Sequence, residues 1–189
     1  MKLEELAQVM IGILTKREMD EKGKNRYRLF SLKNYEEKKE YEEIIANKEL
    51  NNKLTQKGDL LFRLLCPNKI IHVDEKLEGI LVSSQFCIIR VQKEKIDPII
   101  LKWYLESPKA NEDLNTKTTG SIIKTVPVAN LKTLNIPSID PKEQEKMKRL
   151  ILLWEKEKEI SKKILEEKEK MYNSYLEEKI NKKENDIGI

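Results

Sequence analysis

From Pro141 to about Lys183 the chain contains no further proline or glycine. A run this long without a helix breaker leaves one regular conformation available, an α-helix of about 40 residues, roughly 60 Å at 1.5 Å per residue. Asp140 supplies an N-cap side chain and Pro141 suits the first helical position. Glu143, Gln144 and Glu145 fill the first turn, where negative charge complements the helix dipole. Apolar residues follow at Met147, Leu150, Leu153, Trp154, Ile160, Ile164, Met171 and Tyr175, in steps of three and four. That spacing draws one seam along one face. Glu157 and Glu167 interrupt the heptad, and Glu145–Arg149, Glu159–Lys163 and Glu166–Lys170 are spaced as helix-supporting pairs. A helix with one apolar seam does not stand alone in water, so its partner is another copy or another protein. The candidate pairing residues are Leu150, Leu153, Trp154, Ile160, Ile164, Met171 and Tyr175. Asn181 to Ile189 is expected to fray.

The sequence before this helix has a different texture. Charged residues make up 37% of the chain and aromatics 6%, but much of the charge sits in the helix, so the remainder can bury a core. Residues 1–138 read as one mixed α+β globular domain and residues 139–189 as the coiled-coil-type helix with its tail. Leu3, Leu6, Ala7, Val9 and Met10 give a short amphipathic opening before Gly12. Gly58-Asp59 reads as a turn, with Asp59 bonding local amides, ahead of an apolar strand Leu60–Leu65. Strands are expected at Ile70–Val73, Gly79–Val82, Gln85–Val91 and Leu131–Ile136. Tyr27, Leu29, Ser31 and Leu32 look like the start of another. Glu36–Lys48 is acidic and helix-permissive, and is expected to be a surface insertion. Asp97-Pro98 opens a helix that Ser107-Pro108 closes, with Trp103 and Tyr104 on its apolar side.

Two stretches could face a polyanion. Thr15–Arg28 carries Lys16, Arg17, Lys22, Lys24, Arg26 and Arg28 against Glu18, Asp20 and Glu21, with Gly23 to turn it. A DNA-facing loop and a solvated hairpin tip both fit it. Asn115–Lys124 holds Lys117 and Lys124, three threonines, a serine, a glycine and no acid. Hydroxyls, bare backbone and ammonium groups suit phosphates and base edges, and an ordinary polar loop would look similar. The net charge of +4 permits a nucleic-acid partner without demanding one.

Several chemistries lack their residues. There is no glycine-rich phosphate loop, no Asn-Pro-Pro-aromatic methyltransferase motif and no Pro-Asp pair to begin the usual nuclease motif. His72 is the single histidine and falls in an expected strand, where a structural role fits best. Cys66 and Cys87 lie in apolar runs without metal-ligand spacing and read as buried free thiols, and no metal is expected. The N-terminus lacks the apolar core of a signal peptide, and no apolar run approaches the roughly 20 residues of a membrane span. No membrane partner and a cytoplasmic location are expected.

One pattern goes further. Thr119-Gly120-Ser121, the pair Ile122-Ile123, the run Leu131-x-x-Leu134-x-Ile136-Pro137 and the proline-flanked Glu143-Gln144 resemble the specificity subunits of type I restriction-modification systems. Gly58-Asp59-Leu60-Leu61, Ser83-Ser84-Gln85 and Asp97-Pro98 ahead of Leu101-x-x-Tyr104-Leu105 are similar to that family as well. The resemblance covers nearly the whole chain. It departs at Ser138 and Ile139, where many relatives carry another proline, and in number. A full specificity subunit has two target recognition domains and two long helices, and this chain has one of each.

The resemblance implies a non-catalytic protein without cofactors that chooses the DNA sequence and holds adenine methyltransferase subunits on it. A restriction/translocase subunit is a further partner it allows. It implies a target recognition domain over 1–138 and a dimerisation and spacer helix over 139–189. Its DNA-binding candidates are Lys16, Arg17, Lys24, Arg26, Ser83, Ser84, Lys117, Thr118, Thr119, Gly120, Ser121 and Lys124. A half-length form would act as a homodimer on an interrupted palindrome, or as one piece of a split gene. Two other classes stay open: a coiled-coil interaction protein whose globular part binds protein, and an enzyme of unrecognised chemistry.

Overall fold

A computed structural model describes every residue except Glu21, Lys38, 117–123 and 188–189, and describes side chains as far as Ile180. The chain begins with α1 (Leu3–Leu6), β1 (Ala7–Ile11), α2 (Thr15–Glu18), β2 (Asn25–Phe30), α3 (Leu32–Glu37) and β3 (Glu42–Ala46). A 3-10 turn at Asn51–Lys53 precedes β4 (Leu60–Arg63), β5 (Ile70–His72), β6 (Leu81–Val82) and β7 (Phe86–Val91). Helices α4 (Pro98–Leu105), α5 (Pro108–Asn115), α6 (Val128–Lys132) and α7 (Pro141–Ile187) complete it. This is the mixed α+β part and single long helix that the sequence leads one to expect. The chain divides into two compact units, Met1–Glu145 and Lys146–Ile189. No described helix is long and apolar enough to cross a membrane.

Two sheets form the first unit. One has the order β1-β7-β4-β5, antiparallel throughout, and the other the order β3-β2-β6, with β2 antiparallel to β3 and parallel to β6. β7 is central, and its residues are buried apart from Arg90, so it reads as a continuous apolar run rather than an alternation. Phe30, Leu61, Val73, Ile80, Val82, Phe86 and Ile88 make one core cluster, with the Phe30 and Phe86 rings 5.3 Å apart. Ile13, Leu29, Ile44, Ala46, Leu50 and Leu81 make a second. α4 lies against β5, and α6 against α1 and β1.

Several local readings of the sequence hold. Asp97 caps α4 through Ile99 N at 2.8 Å. Asp140 accepts from Lys142 N at 2.9 Å at the start of α7. Gly58 adopts φ +94° in the turn before β4, a conformation that glycine takes without a steric penalty. Asp59 bonds Gln56 N at 2.8 Å, and its buried carboxylate also takes a two-point ion pair from Arg90, at 3.1 and 2.8 Å. Gln144, in the first turn of α7, accepts from Asp97 N at 2.9 Å and donates to Lys95 O and Ile139 O.

Other readings are corrected. Glu42–Ala46 is a strand rather than part of a surface insertion. Ile44 and Ala46 face the core at period two, Glu43 and Ile45 lie on the other face, and Glu42 is exposed at the strand's start. Thr15–Arg28 is a one-turn helix followed by β2 rather than a loop. Leu131–Ile136 is not a strand. Leu131 and Leu134 are buried three residues apart, at the end of α6 and just after it. Beyond them the chain lies along the N-terminal segment, with Leu3 N on Leu134 O at 2.9 Å and Ile136 N on Met1 O at 2.7 Å. Ser107-Pro108 closes α4 and also opens α5, where the Ser107 hydroxyl accepts from Ala110 N. Tyr104 is buried but Trp103 is exposed. Strands β4, β5, β6 and β7 are shorter than expected by one or two residues at their ends.

Both cysteines are free, but only Cys87 is buried, and Cys66 is half-exposed. Burial pushes the Cys87 thiol up to about 12, which denies it the reactive thiolate. A maleimide is therefore expected to label the native chain at Cys66 alone, and Cys87 only after unfolding. Peptide mass spectrometry showing equal labelling at native pH would contradict the packing of β7.

Candidate nucleic-acid interface

The strand ends along one edge of the fold are tied together by backbone bonds. Gly12 N donates to Phe86 O at 3.0 Å and Ile13 N to Val82 O at 2.7 Å as the chain leaves β1. Ser84 N reaches Ile13 O at 2.8 Å, Leu64 N reaches Gln85 O at 2.9 Å, and Val126 N reaches Leu64 O at 2.9 Å. Cys66 N closes the series on Lys124 O at 3.0 Å. A series of backbone bonds thus links the segment that enters α2 to the segment that begins at Lys124. Gly12 is needed here. A Cβ at that position would lie 2.2 Å from Ser83 O and 2.4 Å from Val82 O, inside any real contact.

α2, Ser83, Ser84 and Lys124 adjoin this edge, and the chain runs from α2 to the far end of β2. Lys16 and Arg17 are exposed on α2, which starts beside Ser84. The segment after α2 is held at Asp20, whose N–H donates to Ile45 O at 2.9 Å. Ile45 is the cross-strand partner of Arg26, so α2 lies in the chain between the Ser84 edge and Arg26. Lys24 and Arg26 are exposed, and Arg28 is too, with its guanidinium 5.7 Å from the Tyr41 ring centre. Ser84 is half-buried. Ser83 is buried, with its N–H on Phe30 O at 2.9 Å and its hydroxyl 3.5 Å from Gln85 Oε1. Lys124 is exposed. Lys117, Thr118, Thr119, Gly120 and Ser121 lie outside the described residues, between Thr116 at the end of α5 and Lys124.

Among the described residues of Thr15–Arg28, acids and cations differ in their surroundings. Glu18 is 4.0 Å from Lys48 and mostly covered. Asp20 accepts from Lys22 N at 3.0 Å and from Asn47 Nδ2. Among the described residues, none of Lys16, Arg17, Lys24 and Arg26 has an ion pair. The described acids of the stretch thus have partners of their own while these four cations face water. Arg28, one of the cations of this stretch, is added to the group by its exposure. Its signal in the sequence is the two-residue step from Arg26, which puts both on one face of a strand. Among the described residues no cluster of three or more His, Cys, Asp or Glu could hold a metal, and His72 sits in β5 opposite Leu60.

The second unit presents its own surface. Leu150, Leu153, Trp154, Ile160, Ile164, Met171 and Tyr175 on α7 are each 46–69% exposed, and Leu165, Tyr172, Leu176 and Ile180 are exposed beside them. The apolar face is therefore broader than the seam drawn from spacing. Lys158 Nζ stands 3.2 Å from the centre of the Trp154 ring, and Glu159–Lys163 pair at 2.6 Å. Lys170 pairs with Glu167 at 2.6 Å.

No protein-family model matches the sequence, and no curated protein does. Solved structures do. The chain superposes on the S subunit (HsdS) from Thermoanaerobacter tengcongensis with TM-score 0.61 at 20% identity, over 86% of this chain and 43% of that one. A protein solved in a study of complex assembly and conformational transition of the type I restriction-modification system gives 0.65 at 18% identity, over 86% and 43%. This chain has the fold of a type I specificity subunit. The type I S subunit from M. genitalium gives 0.54 at 14% identity, over 82% of this chain and 38% of that one. The chain, with one mixed α+β domain and one long helix, spans less than half the length of each of these structures.

Proposed function

We propose that this chain is a DNA-sequence specificity component of a type I restriction-modification system and carries out no catalysis itself. Residues 1–138 serve as the target recognition domain and residues 139–189 as the dimerisation and spacer helix. The observation that carries the reading is the set of exposed, unpaired cations Lys16 and Arg17 on α2 and Lys24 and Arg26 at the start of β2, on the fold of a specificity subunit. Phosphates neutralise such cations and fix the register, while hydroxyls and backbone of the nearby turns approach base edges. Lys124 and its sequence neighbours Lys117, Thr118, Thr119, Gly120 and Ser121 are further DNA contacts in this proposal. Ser83 and Ser84 act at its margin, Ser84 through exposed atoms and Ser83 by shaping the turn.

Two copies joined through the α7 face would each bring one recognition domain to the DNA. Two-fold symmetry would then make the half-sites inverted repeats, an interrupted palindrome. Adenine methyltransferase subunits in the cytoplasm are the partners that would act on the chosen site, with a translocase subunit as a further member.

A salt titration tests this. The full chain is expected to bind duplex DNA with log K falling linearly against log salt. Replacing Lys16, Arg17, Lys24 and Arg26 together by alanine should lower that slope by about 3 to 4 units, near 0.9 for each phosphate that is no longer neutralised. These side chains are exposed, so the thermal midpoint should hold. A folded quadruple variant with the parental slope would remove this face from the interface. A parental chain that binds no duplex even at low salt would favour the protein-binding alternative.

A further inference from the structure

We infer that Leu14 and Met19 are apolar base-reading contacts that take thymine methyl groups of duplex DNA. The inference rests on the proposal that this face binds DNA and names what part of the DNA it reads. Outside α7, the described residues that expose large apolar side chains are Met1, Ile11, Leu14, Met19 and Trp103. Three of those five fall between positions 11 and 19, so the exposure is concentrated in one segment rather than scattered. Leu14 is 56% exposed and Met19 is 47% exposed.

These two residues bound α2 at its two ends, with Lys16 and Arg17 between them. The turn that carries them is closed by Arg17 N on Leu14 O at 2.9 Å, Glu18 N on Leu14 O at 3.2 Å and Met19 N on Thr15 O at 3.0 Å. One fixed turn therefore offers two apolar side chains and two unpaired cations together. An apolar patch alone would suit a protein partner as well as DNA, but the cations select a polyanion. Phosphates can satisfy Lys16 and Arg17 and give nothing to leucine or methionine. The apolar feature that a base pair presents in the major groove is the thymine C5-methyl, and side chains of this size and flexibility can enclose it.

The test uses the full chain and its Leu14→Ser and Met19→Ser variants, with thermal melts to show that both remain folded. A randomised duplex pool yields the sequence enriched by the parental chain. That duplex is then made with thymine and with uracil, which removes the methyl and keeps every charge and hydrogen-bonding group. The parental chain is expected to bind the uracil duplex about fourfold more weakly per enclosed methyl. The serine variants should bind the thymine duplex more weakly and prefer it less over uracil. Their salt slope on non-specific duplex should match that of the parent.

Equal parental affinity for the two duplexes, an enriched sequence without thymine, or serine variants with the full thymine preference would each overturn the inference while leaving DNA binding intact. So would variants that read DNA normally but no longer co-elute with a methyltransferase subunit, since that outcome assigns the patch to protein docking. A parental chain that holds no duplex at low salt removes the DNA-binding proposal itself, and this inference with it.

Discussion

A chain carrying Ile160→Glu together with Ile164→Glu is expected to sediment as a monomer at concentrations where the parent is dimeric. Both side chains are about half exposed on α7 in a single chain, so covering them must come from a partner. Burying two such residues contributes roughly 3–6 kcal/mol, and a two-fold interface would lose that contribution on both sides. The carboxylates would also be desolvated without a partner charge, which weakens the interface further. At 1.4 kcal/mol per factor of ten, the dimer should weaken by at least about a hundredfold. Sedimentation equilibrium over a concentration series measures it directly. An unchanged dimer would place the pairing surface elsewhere, for example on Leu165, Tyr172 and Leu176. A parent that is already monomeric at tens of micromolar would assign the seam to a different protein, with a methyltransferase subunit the first to try.

Arg90→Ala is expected to be among the most destabilising single changes in the globular unit, at about 3–5 kcal/mol. Asp59 is 3% exposed and takes both guanidinium bonds, while Arg90 also donates to Leu54 O at 2.8 Å. Removing the cation strands a buried carboxylate and frees the Leu54 carbonyl. Asp59→Ala should cost less, about 2–3 kcal/mol, because the guanidinium is about a quarter exposed and regains water. The double variant should cost less than the sum of the two, as coupled partners do. Denaturant melts with a common m-value read all three. Additive costs, or an Arg90 variant as stable as the parent, would mean that the pair does not hold the turn before β4 to the central strand.

Much of the architecture was legible because its signals are local. Asp140-Pro141 and Asp97-Pro98 start helices wherever they occur in a suitable frame, since the cap and the fixed proline φ act within one turn. The turn at Gly58-Asp59 was legible for the same reason, while the Arg90 partner of Asp59 was not. That ion pair joins residues 31 apart in sequence, and nothing in either neighbourhood announces it. Glu42–Ala46 was misread because a strand with one wet face can carry as many acids as a surface helix. Only pairing with β2 decides which pattern is used. The apolar residues of Leu131–Ile136 fit a strand by composition, but no sheet edge receives them, and the spacing of Leu131 and Leu134 follows the end of α6 instead.

The candidate site divides the same way. Which residues are basic, hydroxylated or glycine is fixed in the sequence, and so is the long uninterrupted helix with its apolar face. Their meeting place is not. Segments near residues 13, 64, 84 and 125 become neighbours only through strand pairing. Which acids find a partner depends on Lys48 and Asn47 arriving from β3's far end. The sequence by itself determined the helix, its caps and the stock of charges, because those rest on interactions within a few residues. The tertiary structure alone decided which charges stay unpaired and which apolar side chains stay in water, because burial and ion pairing are properties of contacts between distant segments.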